Sequence, residues 1–164
     1  MSSGRQHHNI VIHITKNFEN IDISLSKLKK LVRAICKCFG LSKVTVSIAI
    51  VDDAQMRKVN KEFLNCNRTS DCLSFDLSDD REPQSPKLFE LVVNGEMAVR
   101  EANLRGHSGE AELALYITHG LLHNLGFDDA TGDQAKKMHQ TEDEILQQLG
   151  YGLVYNKSIR QFQI

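Results

Sequence analysis

Apolar residues recur along this chain in two rhythms, and the switches between them mark the predicted elements. Asn9-Ile10-Val11-Ile12-His13-Ile14 is rich in β-branched residues and reads as a strand. After Ser24 or Ser26, either of which can cap a helix, Leu28, Leu31, Val32, Ile35 and Phe39 return at helical spacing until Gly40 stops the run. Residues 44–51 alternate every second position and predict another strand. Asp52 or Asp53 then caps a short helix through Met56, Val59 and Phe63. A loop over 65–70 leads to a short strand over 72–75. Residues 78–87 hold both prolines and several charges, so they form an exposed loop, and 88–93 reads as a strand ending near Asn94-Gly95-Glu96-Met97. A helix over about 98–105 reaches Gly106, Ser108 caps a longer helix over about 109–124, and Asp133 opens a last amphipathic helix through Ala135, Met138, Ile145 and Leu149 that stops at Gly150. The tail, 151–164, has no clear pattern. Strands lie early and helices gather late. That order predicts one α+β domain over 1–164, with a small mixed sheet of about four strands covered by helices.

Composition narrows the class. At 164 residues, 41% apolar and 25% charged, the chain is long enough for a proper core and ordinary for a soluble protein. No apolar run approaches the ~20 residues a membrane span needs, and the polar segment 1–9 argues against a secretory signal. A cytoplasmic protein is expected. Cys36, Cys38, Cys66 and Cys72 form no CxxC pair and read as free thiols in a reducing compartment. The net charge of −1 hides a split. Residues 1–70 carry 12 Lys/Arg against 5 Asp/Glu, whereas 71–164 carry 8 against 16. Such asymmetry suggests a nucleic-acid-facing side. The densest basic run is Lys27, Lys29, Lys30, Arg33, Lys37 and Lys43, which is either a phosphate-contacting surface or a solvated helix face.

The chemistry concentrates in His119-Gly120-Leu121-Leu122-His123-Asn124-Leu125-Gly126-Phe127-Asp128-Asp129. Imidazoles four residues apart project from one face of a helix and can share a divalent metal. Gly126 is suited to end that helix in a left-handed cap, after which Asp128 or Asp129 can close the site. Two His and one carboxylate leave a coordination position open, as catalytic sites do. Metalloproteases of the HExxH type place a Glu after the first His as general base; here that position is Gly120, which counts against peptide hydrolysis. Glu112 lies on the same helical face as the two His, either as an acceptor for an imidazole N–H or as a solvated carboxylate near the helix start.

These residues resemble the H-G-x-L-H-x-x-G-[YF]-D-H signature of the YbeY metallo-endoribonucleases. Asn60-Lys61-Glu62-Phe63 followed by Ser70-Asp71-Cys72-Leu73-Ser74-Phe75 is similar to that family's N-x-x-[YF]-R…T-D-V-L-S-F block, and Gly95-Glu96 resembles its next Gly-Asp pair. The resemblance implies an α+β fold with a zincin-like metal helix and a zinc bound by three His. It also implies action on single-stranded RNA in 16S rRNA 3′-end maturation and ribosome quality control, with RNA and the small ribosomal subunit as partners and no role for DNA or membranes. His119 and His123 match directly, and the third family His falls at Asp129. A carboxylate can bind zinc at ~2.0–2.2 Å, although the added charge weakens the metal as a Lewis acid and makes other divalent metals plausible. The family's Arg, thought to meet RNA phosphate, falls at Leu64; Arg68, four residues on, is the candidate to reach the same space.

The leading expectation is therefore a zinc-dependent endoribonuclease with His119, His123 and Asp129 as ligands and Arg68 on phosphate. One alternative is a non-catalytic, metal-stabilised assembly factor that binds RNA, since Leu64 and Asp129 both remove groups the family uses. Another is a metallohydrolase of peptides or small molecules, which needs a Glu such as Glu112 or Glu96 poised at the metal.

Overall fold

The computed structural model describes residues 8–79, 81, 85–152 and 154. In chain order these form β1 (Asn9–Lys16), α1 (Leu25–Cys38), β2 (Lys43–Val51), α2 (Asp53–Leu64), β3 (Cys72–Asp76), β4 (Lys87–Asn94), α3 (Gly95–Arg105), α4 (Gly109–Asn124) and α5 (Gly132–Gln148). The strands make one mixed sheet in the order β1-β2-β4-β3. β1, β2 and β4 are parallel, and β3 pairs antiparallel with β4 at the edge. This is the α+β arrangement the pattern predicts.

Alternation fixes which face of the sheet is covered. Val44, Val46, Ile48 and Ile50 of β2 are buried, and their β4 partners Phe89, Leu91 and Val93 lie on the same face. α4 packs across that face. Leu113, Ala114, Ile117, Leu121 and Leu122 are each no more than 1% exposed, so α4 is a central helix, apolar nearly all round. Gly120 is its point of closest approach. A Cβ there would stand 2.6 Å from Cys72 Sγ and 3.0 Å from Leu91 Cδ2. The helix that carries the His pair is thus pressed onto β3 and β4 because one of its residues has no side chain.

Two predicted boundaries move. α3 starts at Gly95, three residues before the expected start near Ala98, because the Asn94 side chain accepts the Met97 N–H at 2.9 Å and caps the helix directly at the strand's end. α5 starts at Gly132 rather than Asp133, since Thr131 is the cap and forms a reciprocal box with Gln134. Most of the patternless tail lies outside the described residues, though Val154 is buried in the core. Among the basic residues of α1, Lys27 is engaged within the protein. It lies 3.9 Å from Glu110 and 4.2 Å from the centre of the Tyr151 ring, so it belongs to the contact between α1 and α4 rather than to a phosphate surface. All four cysteines are free, as expected.

Candidate metal centre

His119 and His123 stand one turn apart near the C-terminus of α4, with Nε2 atoms 3.1 Å from each other. Asp129 Oδ2 lies 3.8 Å from His119 Nε2 and 3.7 Å from His123 Nε2. Among the described residues, this is the group of His, Cys, Asp or Glu side chains whose ligand atoms converge, all within 4.8 Å.

The turn after α4 brings the acid back. Gly126 adopts φ +96°, donates its N–H to His123 O at 3.1 Å, and Phe127 N–H reaches Leu122 O at 2.9 Å. This paired arrangement ends a helix on a left-handed glycine. Asp128 then uses its own carboxylate to accept the N–H groups of Asp129 and Ala130, at 2.7 and 3.2 Å. The two acids therefore divide the work: Asp128 makes the turn and Asp129 faces the imidazoles. The Phe127 ring anchors the turn edge-on against Phe39 at the end of α1, with centroids 5.7 Å apart.

Hydrogen bonds on the far side of each ring set the tautomers. His123 Nδ1 lies 3.1 Å from the Phe127 carbonyl, which can only accept, so Nδ1 carries the proton. His119 Nδ1 lies 2.6 Å from Glu142 Oε1, a carboxylate that is fully buried. With both Nδ1 atoms donating, the two Nε2 lone pairs point at one another with Asp129 alongside. Lone pairs and a carboxylate held that close call for a cation. Bonds of ~2.0–2.2 Å in tetrahedral geometry separate ligand atoms by roughly 3.3–3.5 Å, close to the separations here, so the residues fit a small divalent ion. Burial of the His119 ring disfavours its charged form, but the hydrogen bond and charge of Glu142 together with the Asp71 and Asp129 carboxylates outweigh this and lift its pKa above the ordinary value.

Glu142 was hidden in the last helix. Met138, Glu142, Ile145 and Leu149 follow each other at helical spacing, so a carboxylate interrupts an apolar stripe; that was the signal. The same carboxylate binds His139 Nδ1 through its other oxygen at 3.0 Å, and the His119 and His139 rings stack with centroids 6.4 Å apart. Glu112, the expected candidate for this role, is instead fully buried beside His107, at 2.5 Å, and Arg105, at 3.4 Å. It is neither solvated nor bonded to a site imidazole, because His119 turns its Nδ1 towards α5. Glu96 accepts the Asp53 N–H at 3.2 Å and is likewise not at the His pair.

Beside His119 opens a cavity of about 300 Å³ whose walls include Ser70, Asp71, Arg105, Glu112 and His139. Arg68 is exposed on the loop after α2, and its carbonyl accepts from buried Asn60 at 2.7 Å. That bond folds the loop back along the last turn of α2, where Leu64 is 59% exposed.

A family model described as "Endoribonuclease YbeY" matches residues 13–150. A curated protein named Endoribonuclease YbeY from Aquifex aeolicus is 29% identical over 153 residues, covering 93% of this chain and 99% of the relative. Proteins of the same name from Clostridioides difficile and Roseiflexus sp. are 30% identical over 139 residues (80% of this chain, 91% of the relative) and 38% identical over 115 (65% and 71%). The fold is similar to the solution structure of TM1509 from Thermotoga maritima, with TM-score 0.61 and 21% identity across 93% of this chain and 94% of that one.

Proposed function

This chain belongs to the YbeY family, and we propose that it is a metal-dependent endoribonuclease that cuts single-stranded RNA during 16S rRNA 3′-end maturation and ribosome quality control. The small ribosomal subunit and its precursor RNA are the partners, and the cytoplasm is the compartment. No described helix is long and apolar enough to cross a membrane. The observation that carries the reading is the facing pair of Nε2 atoms with Asp129 Oδ2 beside them.

His119, His123 and Asp129 are the proposed ligands, with zinc the first choice of ion and another divalent metal the second. A divalent ion there supplies Lewis acidity towards a phosphoryl oxygen and lowers the pKa of water. Asp129, in place of a third imidazole, moderates that acidity by adding negative charge. Gly120 supplies no general base, and a Glu there would drive its Cβ into Cys72. RNA brings its own nucleophile in the 2′-hydroxyl, so a Glu at position 120 to activate water need not be present, and the 2′-hydroxyl proton would pass to another acceptor. Arg68 is the proposed phosphate contact, replacing the arginine that Leu64 lacks.

The test is cleavage of an unstructured RNA with and without chelator, comparing wild type with His123→Ala. Loss of cleavage in both the chelated and the substituted protein is expected. Equal cleavage in every sample would sink the reading. The exposed Leu64 favours a second reading, a metal-stabilised assembly factor that binds RNA without cutting it. Under that reading the wild type is inactive, and Leu64→Arg with Asp129→His restores cleavage.

A further inference from the structure

The last turn of α2 presents an aromatic ring that ought to be buried. Met56 and Asn60 form the inward stripe of this helix, 0% and 3% exposed. Phe63 continues the stripe at the next helical position, yet is 61% exposed. Its aromatic neighbour is Phe75, with centroids 5.3 Å apart and planes tilted by 54°. Phe75 lies on β3, the edge strand, and on the sheet face opposite Cys72, because successive strand residues alternate. β3 is the edge of the sheet, and among the described residues no further strand covers the pair.

We propose that Phe63, braced by Phe75, is a stacking platform for a base of a single-stranded RNA whose neighbouring nucleotides reach the metal centre. This rests on the endoribonuclease reading. Charge around the platform selects the occupant. Between Ala54 and Ser70, Arg57, Lys58, Lys61 and Arg68 are all exposed against a single acid, Glu62, while on the sheet side exposed Glu90 pairs with Phe75. A protein partner with an apolar face gains nothing from four cations, whereas a phosphate backbone does. An exposed ring on a basic helix and loop is what sequence-tolerant binding of a single strand requires, since every base has a face to stack.

The platform is also fixed relative to the site. Asn60 Nδ2 donates to Arg68 O at 2.7 Å and Ser70 Oγ at 3.1 Å. Asn94 Nδ2 donates to Thr69 Oγ1 at 2.9 Å and Ser70 O at 3.2 Å, and Thr69 Oγ1 donates to Asp53 Oδ1 at 3.0 Å. The loop so tied runs from the end of α2 to Ser70 and Asp71, which line the cavity shared with His119. A strand stacked on Phe63 and held at Arg68 is thereby led towards the His pair.

The chain has no tryptophan, so Phe63→Trp installs a single indole at the platform. The metal-loaded variant is titrated with a short unstructured RNA bearing 2′-O-methyl groups, which blocks attack by the 2′-hydroxyl. Quenching of the indole by this strand, and much less by the same sequence as a duplex, is expected. Phe63→Ala should raise the dissociation constant and KM for single-stranded RNA by about 5- to 150-fold while kcat changes little, with Phe63→Tyr close to wild type. Unchanged fluorescence on addition of an RNA that the protein still binds or cuts would overturn the platform while leaving the endoribonuclease intact. Failure to bind or cut any RNA overturns both. An indole that shifts with protein concentration in the absence of RNA would instead make this surface a contact between copies of the chain.

Discussion

The residue that explains most about this site is Gly120, which makes no contact with any ligand. It lets α4 lie against Cys72 and Leu91, and it stands where a HExxH helix would carry its base. Gly120→Ala forces a Cβ to 2.6 Å from Cys72 Sγ, so it is expected to cost about 1–3 kcal/mol by overpacking, read as a lower melting temperature. Adding Cys72→Ala should recover part of that loss; no recovery would show that the close approach is not what makes glycine necessary. Glu142 acts on the site in a different way. Its carboxylate orients His119 so that Nε2 faces His123. Glu142→Gln keeps the shape and removes the charge, and is expected to lower metal affinity roughly 10- to 100-fold in a chelator-competition assay. Unchanged affinity would mean that a neutral acceptor orients the ring as well as the carboxylate does.

Elements differ in how much of their role the chain declares locally. The span from His119 to Asp129 declares nearly everything: imidazole spacing, the glycine that ends the helix and the acids beyond it are all within a dozen residues. Even the choice between Asp128 and Asp129 is local physics, since Asp128 spends its carboxylate on the turn. The start of α3 was misread because Asn94 serves both as the last strand residue and as the helix cap, leaving no loop between them. The sequence leaves Glu112 open between a partner of a site imidazole and a solvated carboxylate, and the structure takes neither, for a longer-range reason. Helical phase places Glu112 near the His pair, but only the packing of α5 on α4 decides towards which carboxylate the ring turns, and that packing joins residues 23 apart. The connection after α4 carries its own prediction. Gly126 holds φ +96°, which a residue with a Cβ enters only at a cost of roughly 1–2 kcal/mol. Gly126→Ala should lower stability by about that amount and weaken metal binding as well, because Asp129 follows the turn. A loss of stability with metal affinity intact would uncouple the turn from the site.

Across the whole molecule, protons and the proposed metal would compete for the same imidazoles, and the signs are opposite. His119 has a folded pKa above its ordinary value because Glu142, Asp71 and Asp129 together outweigh its burial. Its protonation therefore stabilises the metal-free fold. That contribution is fully present below the unfolded value of about 6.5 and is lost as pH rises through the raised folded value. A bound cation needs Nε2 unprotonated, so the metal-loaded protein loses stability as pH falls through the same window. At the acid end Asp53 adds a third slope. Arg100, 2.9 Å away, holds its carboxyl well below the usual range, so the stability this gives is present above the ordinary carboxylate value of about 4 and is lost on further acidification. Denaturant unfolding of metal-free protein should therefore show stability rising as pH is lowered towards about 6.5, then falling below about 4. Metal-loaded protein should instead decline throughout the descent. The comparison with metal-free Glu142→Gln separates the two rings this carboxylate bonds, His119 and His139, from the other histidines. If metal-free wild type and Glu142→Gln follow the same slope above pH 6.5, the buried carboxylate does not set the charge of the rings it bonds, and it serves the site as a hydrogen-bond acceptor alone.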